Sequence, residues 1–157
     1  MLLGAIVAAG PAAVAATGAW QGEGNAQVRL IAAGIGDDGQ LEAGLEISLQ
    51  PGWKTYWRTP GDAGVAPLFD FAASSNIDGP VKVEFPVPHR VDDGYAVSNV
   101  YEGYVVLPVS AKVSDPESAT TLALSLDIGV CAEICIPEHY DLSLEVAPGE
   151  TSTSGIR

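Results

Sequence analysis

Gln40-Leu41-Glu42-Ala43-Gly44-Leu45-Glu46-Ile47-Ser48-Leu49 decides the fold. Leu41, Ala43, Leu45, Ile47 and Leu49 fall on one side of an extended chain, and Glu42, Glu46 and Ser48 on the other. That strict period of two is the pattern of a strand with one buried face. Working outward, Val28, Leu30 and Ala32 alternate in the same way against Gln27 and Arg29. Further strand-like runs follow at Trp53–Arg58, Pro67–Phe71, Val81–Phe85, Tyr104–Lys112, Thr121–Ile128 and Tyr140–Val146.

Turn chemistry separates these runs: Gly36-Asp37-Asp38-Gly39, Pro51-Gly52, Pro60-Gly61-Asp62, Asp78-Gly79-Pro80 and Ser114-Asp115-Pro116. Beyond the apolar start of the chain, no window carries a sustained helical period. Seven to nine short strands at this spacing predict an all-β fold, an immunoglobulin-like antiparallel β-sandwich. A chain of 157 residues is long enough to build one hydrophobic core without several disulfides. No internal repeat and no second domain are visible.

Twenty acidic residues against seven basic ones give a formal charge of −13. Such a surface repels phosphate, which excludes nucleic acid as a partner and disfavours an anionic membrane. Residues 1–19 are small and apolar and resemble a secretory signal, with small-x-small cleavage options at Ala13-Val14-Ala15 and Thr17-Gly18-Ala19. No Lys or Arg precedes Arg29, so the usual basic leading segment is missing. The organisation expected is a signal-like segment over 1–19, one folded domain over 20–147 and a flexible tail over 148–157, the product being exported and monomeric.

The chain has two cysteines, in Val130-Cys131-Ala132-Glu133-Ile134-Cys135-Ile136-Pro137-Glu138. In an exported protein such a pair is expected to be oxidised. A bridge closing a loop of about five residues stabilises a fold by only ~2 kcal/mol, against ~4.7 kcal/mol for a loop of 100 residues. That favours a switch over a staple, and a pair at i and i+4 fits a tight turn with some strain. An inert clip in a partner-binding sandwich is the alternative. A copper- or zinc-handling module is a third reading, because Cys131, Cys135 and His139 step by four and would share one face of a helix. Pro137 opposes that helix, and His89 has no spacing relation to the set. Acidic neighbours (Asp127, Glu133 and Glu138) should hold the thiols protonated until a partner arrives.

Three blocks together resemble one family. They are Pro51-Gly52-Trp53-Lys54-Thr55-Tyr56-Trp57-Arg58-Thr59-Pro60-Gly61-Asp62, Tyr101-Glu102-Gly103-Tyr104-Val105-Val106-Leu107-Pro108-Val109, and the cysteine block. The family is the N-terminal periplasmic domain of the thiol:disulfide interchange protein DsbD and its relatives, including the ScsB-like reductases. The resemblance implies a periplasmic sandwich that relays reducing equivalents between protein thiols. Its donors and acceptors would be thioredoxin-like periplasmic proteins, with a membrane-embedded DsbD/ScsB-type reductase upstream. No cofactor is implied, because the dithiol itself carries the electrons. By position, Cys135 matches the sulfur that partners attack and Cys131 the resolving one.

The stretch Asp92–Tyr101 resembles the family's cap over the sulfurs, which makes Asp92, Asp93, Tyr95 and Tyr101 the expected shield, with Tyr104 beside it. Trp53, Tyr56 and Trp57 are expected instead to plug the core, Trp53 and Trp57 on one face and Tyr56 on the other. The sequence departs from the family in three ways. The Cys-x3-Cys spacing is shorter than in the best-known DsbD domains and closer to the ScsB-like branch. Gly94 stands where an aromatic lid would align, which leaves that role to Tyr95. No transmembrane helices or thioredoxin-like domain follow Val146, which leaves open both a freestanding form and a piece of a larger reductase.

Overall fold

A computed structural model describes residues 16–149; the first fifteen residues of the signal-like segment and the tail from residue 150 lie outside this span. The described residues form eleven strands and no helix: β1 Ala16–Thr17, β2 Ala26–Ile35, β3 Gln40–Leu49, β4 Lys54–Gly61, β5 Leu68–Asp70, β6 Ile77–Val83, β7 His89–Asp92, β8 Val97–Glu102, β9 Tyr104–Val113, β10 Thr120–Cys131 and β11 Cys135–Val146. They build an immunoglobulin-like sandwich of two antiparallel sheets. One sheet has the order β1-β2-β3-β9-β6, and the other runs β11-β10-β4-β8-β7 with β5 added against β10. Among the described residues no helix is long and apolar enough to cross a membrane.

The core lies between the sheets and follows from the alternation in the strands. Leu41, Ala43, Leu45 and Ile47 of β3 face Leu122, Leu124, Leu126, Ile128 and Val130 of β10 across a single buried cluster, completed by Leu142 and Leu144 of β11. Trp53 and Trp57 pack against this core, while Tyr56, one step out of phase with both, belongs to a separate cluster. The outer face of the first sheet carries one buried charge. Glu46 is held by Arg29 and by the hydroxyl of Tyr104, and Arg29 in turn lies over the Trp20 ring at 4.4 Å. Burial, with the Glu46 hydrogen bond second, pushes the Tyr104 phenol up to about 12. Tyr104 is thereby committed to the first sheet and does not cover the cysteines.

Two hairpin strands stand where a cap was expected. Residues His89–Asp92 and Val97–Glu102 pair as β7 and β8 and extend the second sheet past β4. Val97-Ser98-Asn99-Val100 does not look half-buried, because Ser98 and Val100 face outward; both are nevertheless buried by chain crossing above them.

The register sorts substitutions on β10 sharply. Leu124→Ala should lower the unfolding free energy by about 2–5 kcal/mol. Ser125→Ala, one position along and facing out, should stay within about 0.5 kcal/mol of the parent. Urea denaturation with an unchanged slope checks both, and equal losses would contradict the register.

Candidate functional site

β10 and β11 form one continuous hairpin whose pairing runs from Thr120 opposite Val146 to Cys131 opposite Cys135. The inward set of β10 ends at Val130, so Cys131 necessarily points out of the sandwich. Cys131 and Cys135 are disulfide-bonded across the three-residue loop Ala132-Glu133-Ile134, their Cα atoms 4.1 Å apart, with the Ala132 N–H donating to the Ile134 carbonyl at 2.9 Å. The bridge thus closes the tip of a hairpin on the outer face of the second sheet.

That outer face is covered at this point. Lys54 of β4 is the cross-strand neighbour of Cys131, and Tyr56, two residues on, stands opposite Val100 of β8. Cys131, Tyr56 and Val100 form a small buried cluster, with Val91 packed against it. The segment after β4 lies over the cluster and is tied down at several points. Asp62 donates its N–H to Val97 at 2.9 Å, Val97 returns one to the Asp62 carboxylate at 3.1 Å, and Ser98 donates its hydroxyl to the Ala63 carbonyl at 2.9 Å. Gly61 takes a left-handed φ of 97°, and a Cβ there would lie 2.2 Å from the Val97 carbonyl oxygen. Gly64 (φ 139°) sits flat on Tyr56, where a Cβ would come within 2.5 Å of the ring. Thr55, pointing the other way, ties β4 to β10 through a 2.7 Å hydrogen bond to the Gly129 carbonyl.

The result is a lopsided bridge. Cys131 is only 1% exposed, whereas Cys135 is exposed. The Tyr56 hydroxyl lies 3.9 Å from the Cys135 sulfur, and because a bridged sulfur carries no proton, the hydroxyl is the donor. Burial raises the Tyr56 pKa, so that donor keeps its proton. Lys54 stands opposite Cys131 across the β4–β10 pair, and its charge also acts on the Asp93 carboxylate in the β7–β8 turn.

The expected shield is arranged differently. Tyr95 is 100% exposed and covers nothing. Its turn is held by its own hydrogen bonds: Asp93 accepts from the N–H groups of Tyr95 and Ala96 at 2.9 Å each, and Asp92 accepts from Gly94 at 2.9 Å. The Ala96 and Tyr95 N–H groups hold the Asp93 carboxyl below its ordinary range. Tyr101 is buried in the main core and donates its hydroxyl to the Pro86 carbonyl at 2.7 Å. Tyr56 occupies the place foreseen for Tyr95. The signal for this was present in Trp53-Lys54-Thr55-Tyr56-Trp57: an aromatic out of phase with two core tryptophans must face outward, next to whatever lies there.

His139 is no helical neighbour of the cysteines. It lies in β11, four strand residues or roughly 13 Å along from Cys135. Its ring is held between Asp127 at 2.8 Å and Asp141 at 3.3 Å, and the hydrogen bond to Asp127 is the main cause of its raised pKa. The three-residue helical face on which the metal reading rested does not exist. His89 lies in β7, paired with Val100.

A buried sulfur bonded to an exposed one, at a hairpin tip on a folded sandwich, meets the access requirement of thiol–disulfide exchange. Residues 23–147 match the family model described as thiol:disulfide interchange protein DsbD, N-terminal, and the chain belongs to that family. Among solved structures, the N-terminal periplasmic domain of ScsB from Proteus mirabilis is 31% identical, with a TM-score of 0.69 over 90% of this chain. This chain spans 55% of the length of that one. The reduced DsbD N-terminal domain of Neisseria meningitidis is 14% identical, with a TM-score of 0.41 over 90% of this chain and 91% of its own. No curated protein matches the sequence significantly.

Two outcomes test this geometry. Gly64→Ala should displace the Tyr56 ring, lower stability by about 1–3 kcal/mol and speed alkylation of Cys131 in the reduced protein; an unchanged alkylation rate would contradict the packing. His139 should titrate above the ordinary 6.5, and Asp127→Asn should bring its midpoint down. Because the folded pKa is raised, the stabilisation by the imidazolium is complete below 6.5 and fades as pH climbs through the folded value. NMR titration of the ring protons reads the midpoint directly.

Proposed function

We propose that this domain relays reducing equivalents between protein thiols in the periplasm, as a protein-disulfide reductase module working through Cys131 and Cys135. The observation that carries the reading is the asymmetry of the bridge: one sulfur is open to a partner and the other is enclosed. The ScsB domain of Proteus mirabilis, whose description places it in the periplasm, supports the compartment.

In the charging half-cycle, a thiolate of a thioredoxin-like donor attacks the Cys135 sulfur in line with the Cys131–Cys135 bond. That bond breaks, a mixed disulfide forms through Cys135, and Cys131 leaves with the electron pair as a thiolate on the residue opposite Lys54 in the sheet. The donor's second thiolate then attacks its own sulfur in the mixed disulfide. Cys135 is released as a thiolate facing the Tyr56 hydroxyl, and the donor leaves oxidised. Two electrons enter the domain, and two protons follow as the thiols reprotonate. Discharge runs the same steps in reverse against an oxidised acceptor, with Cys135 attacking and Cys131 resolving. The donor in this reading is a thioredoxin-like domain supplied by a membrane-embedded reductase of the DsbD/ScsB type, and the acceptors are periplasmic thioredoxin-like proteins.

The apolar segment at the start serves as the export signal. Of its two cleavage options, the one after Ala15 keeps the β1 pairing with Ile31 and Ala32 on the folded domain, and the one after Ala19 removes it. The domain then acts as a monomer, with residues beyond 147 as a linker.

Cys131→Ser removes the resolving sulfur and should trap a stable mixed disulfide through Cys135 when an oxidised thioredoxin-like protein is supplied. Mass spectrometry identifies the adduct. An accessible Cys135 that forms none would overturn the proposal.

A further inference from the structure

Three alternate rungs of the β10–β11 ladder face outward near the bridge: Cys131 with Cys135, Gly129 with Pro137, and Asp127 with His139. The middle rung has no side chain on β10 and a flat ring on β11, so the surface dips there. Val65 and Ala66 wall the dip on one side, Leu68 of β5 stands beside Asp127 at its far end, and Cys135 lines the near end. The cavity has a volume of about 410 Å³, and from the cysteine rung to the histidine rung it is roughly 13 Å long.

Its walls are apolar in the open. Val65 is 56% exposed, Leu68 64% and, in the cysteine loop, Ile134 66%. Among the described residues only one other large aliphatic side chain, Val87, is exposed to this degree. Strand alternation explains Leu68, since Phe69 next to it turns inward to pack on Phe71 and Phe85. It does not explain Val65, which walls the groove, or Ile134, which stands in the cysteine loop beside its near end. The acidic residues lining the dip are Asp127 and Glu138; Glu133 follows in the cysteine loop, and His139 is clasped between Asp127 and Asp141.

We infer that this groove is the docking surface for the protein thiol that exchanges with Cys135, and that it selects a partner whose reactive cysteine is framed by apolar side chains inside a collar of lysines and arginines. The inference rests on the exchange reading above and adds to it the chemistry of the partner. Apolar contact beside the sulfur supplies the desolvated centre that a short-lived complex needs, and the acidic border steers a cationic partner while repelling an anionic one. A small anionic thiol such as glutathione has no cationic collar and is a poor match.

The test uses the oxidised chain and two reduced thioredoxin-fold dithiol proteins, identical except that the surface positions around the cysteines are lysine in one and glutamate in the other. Glutathione and dithiothreitol serve as small-molecule reductants. The lysine version should reduce Cys131–Cys135 at least tenfold faster than the glutamate version, with an advantage that shrinks as salt is raised. Leu68→Asp and Val65→Asp, both at exposed positions, should slow reduction by the lysine version at least fivefold and leave reduction by dithiothreitol unchanged. Val87→Asp should change neither rate. Equal rates for the two collars, or no effect of Leu68→Asp and Val65→Asp while the parent exchanges normally, would overturn the groove and leave the exchange reading intact. Reduction by glutathione as fast as by the lysine version would also overturn it. A parent that dithiothreitol reduces but neither protein does would bring down the exchange reading and the groove together.

Discussion

The register of the β10–β11 hairpin is the constraint on which the rest depends. From Thr120 opposite Val146 to Cys131 opposite Cys135 the pairing runs without a break, and its period of two sends Leu122, Leu124, Leu126, Ile128 and Val130 inward. The same phase sends Cys131 outward. A slip of one residue would turn the cysteines into the core and the leucines into solvent, a change that a sandwich of this size could not absorb. The main core therefore fixes where the bridge can be, although the bridge contributes little to that core.

Because the site lies on the outside of the sheet, it needs its own cover, and the chain builds one from β4. Tyr56 is out of phase with Trp53 and Trp57, so a single strand supplies plugs to the main core and a lid to the cysteines. Gly61 and Gly64 let the following segment lie close enough to enclose Tyr56 and Cys131. The cover stops short of Cys135. The proposed roles are assigned from this boundary: Cys135, left exposed, as the sulfur that meets partners, and Cys131, enclosed, as the one that leaves or resolves. The cover and the groove are two sides of one device, since Val65 borders the second and lies within contact distance of a Cβ placed on Gly129 between it and Tyr56.

Much of this was legible in the sequence, and the limits have physical reasons. The alternation in Leu41–Leu49 and Thr121–Ile128 suffices for the sandwich because each strand has one wet face. β7 and β8 escaped that reading because Ser98 and Val100 are buried on a face that should be wet, under a loop whose position no periodicity encodes. The cysteine block located the bridge; of the expected cap stretch, Val100 packs on Cys131, whereas the exposed Tyr95 and the core residue Tyr101 do not. An exposed turn rich in aspartate with a tyrosine looks like a lid, but its aspartates are occupied by the turn's own N–H groups, and Tyr95 is left in solvent. The groove had no sequence signature at all. It arises from Gly129, Pro137, Val65 and Leu68, which only the ladder and the loop bring together.

The claim that opening and closing of Cys131–Cys135 leaves the sandwich folded is tested most directly by following amide hydrogen exchange of β3 and β10 while a reduced thioredoxin-fold dithiol is added under native conditions. The account predicts that the bridge is reduced within minutes, with protection of Leu45 and Leu124 unchanged. A bond that persists until denaturant has stripped that protection would contradict it and leave the bridge as a clip.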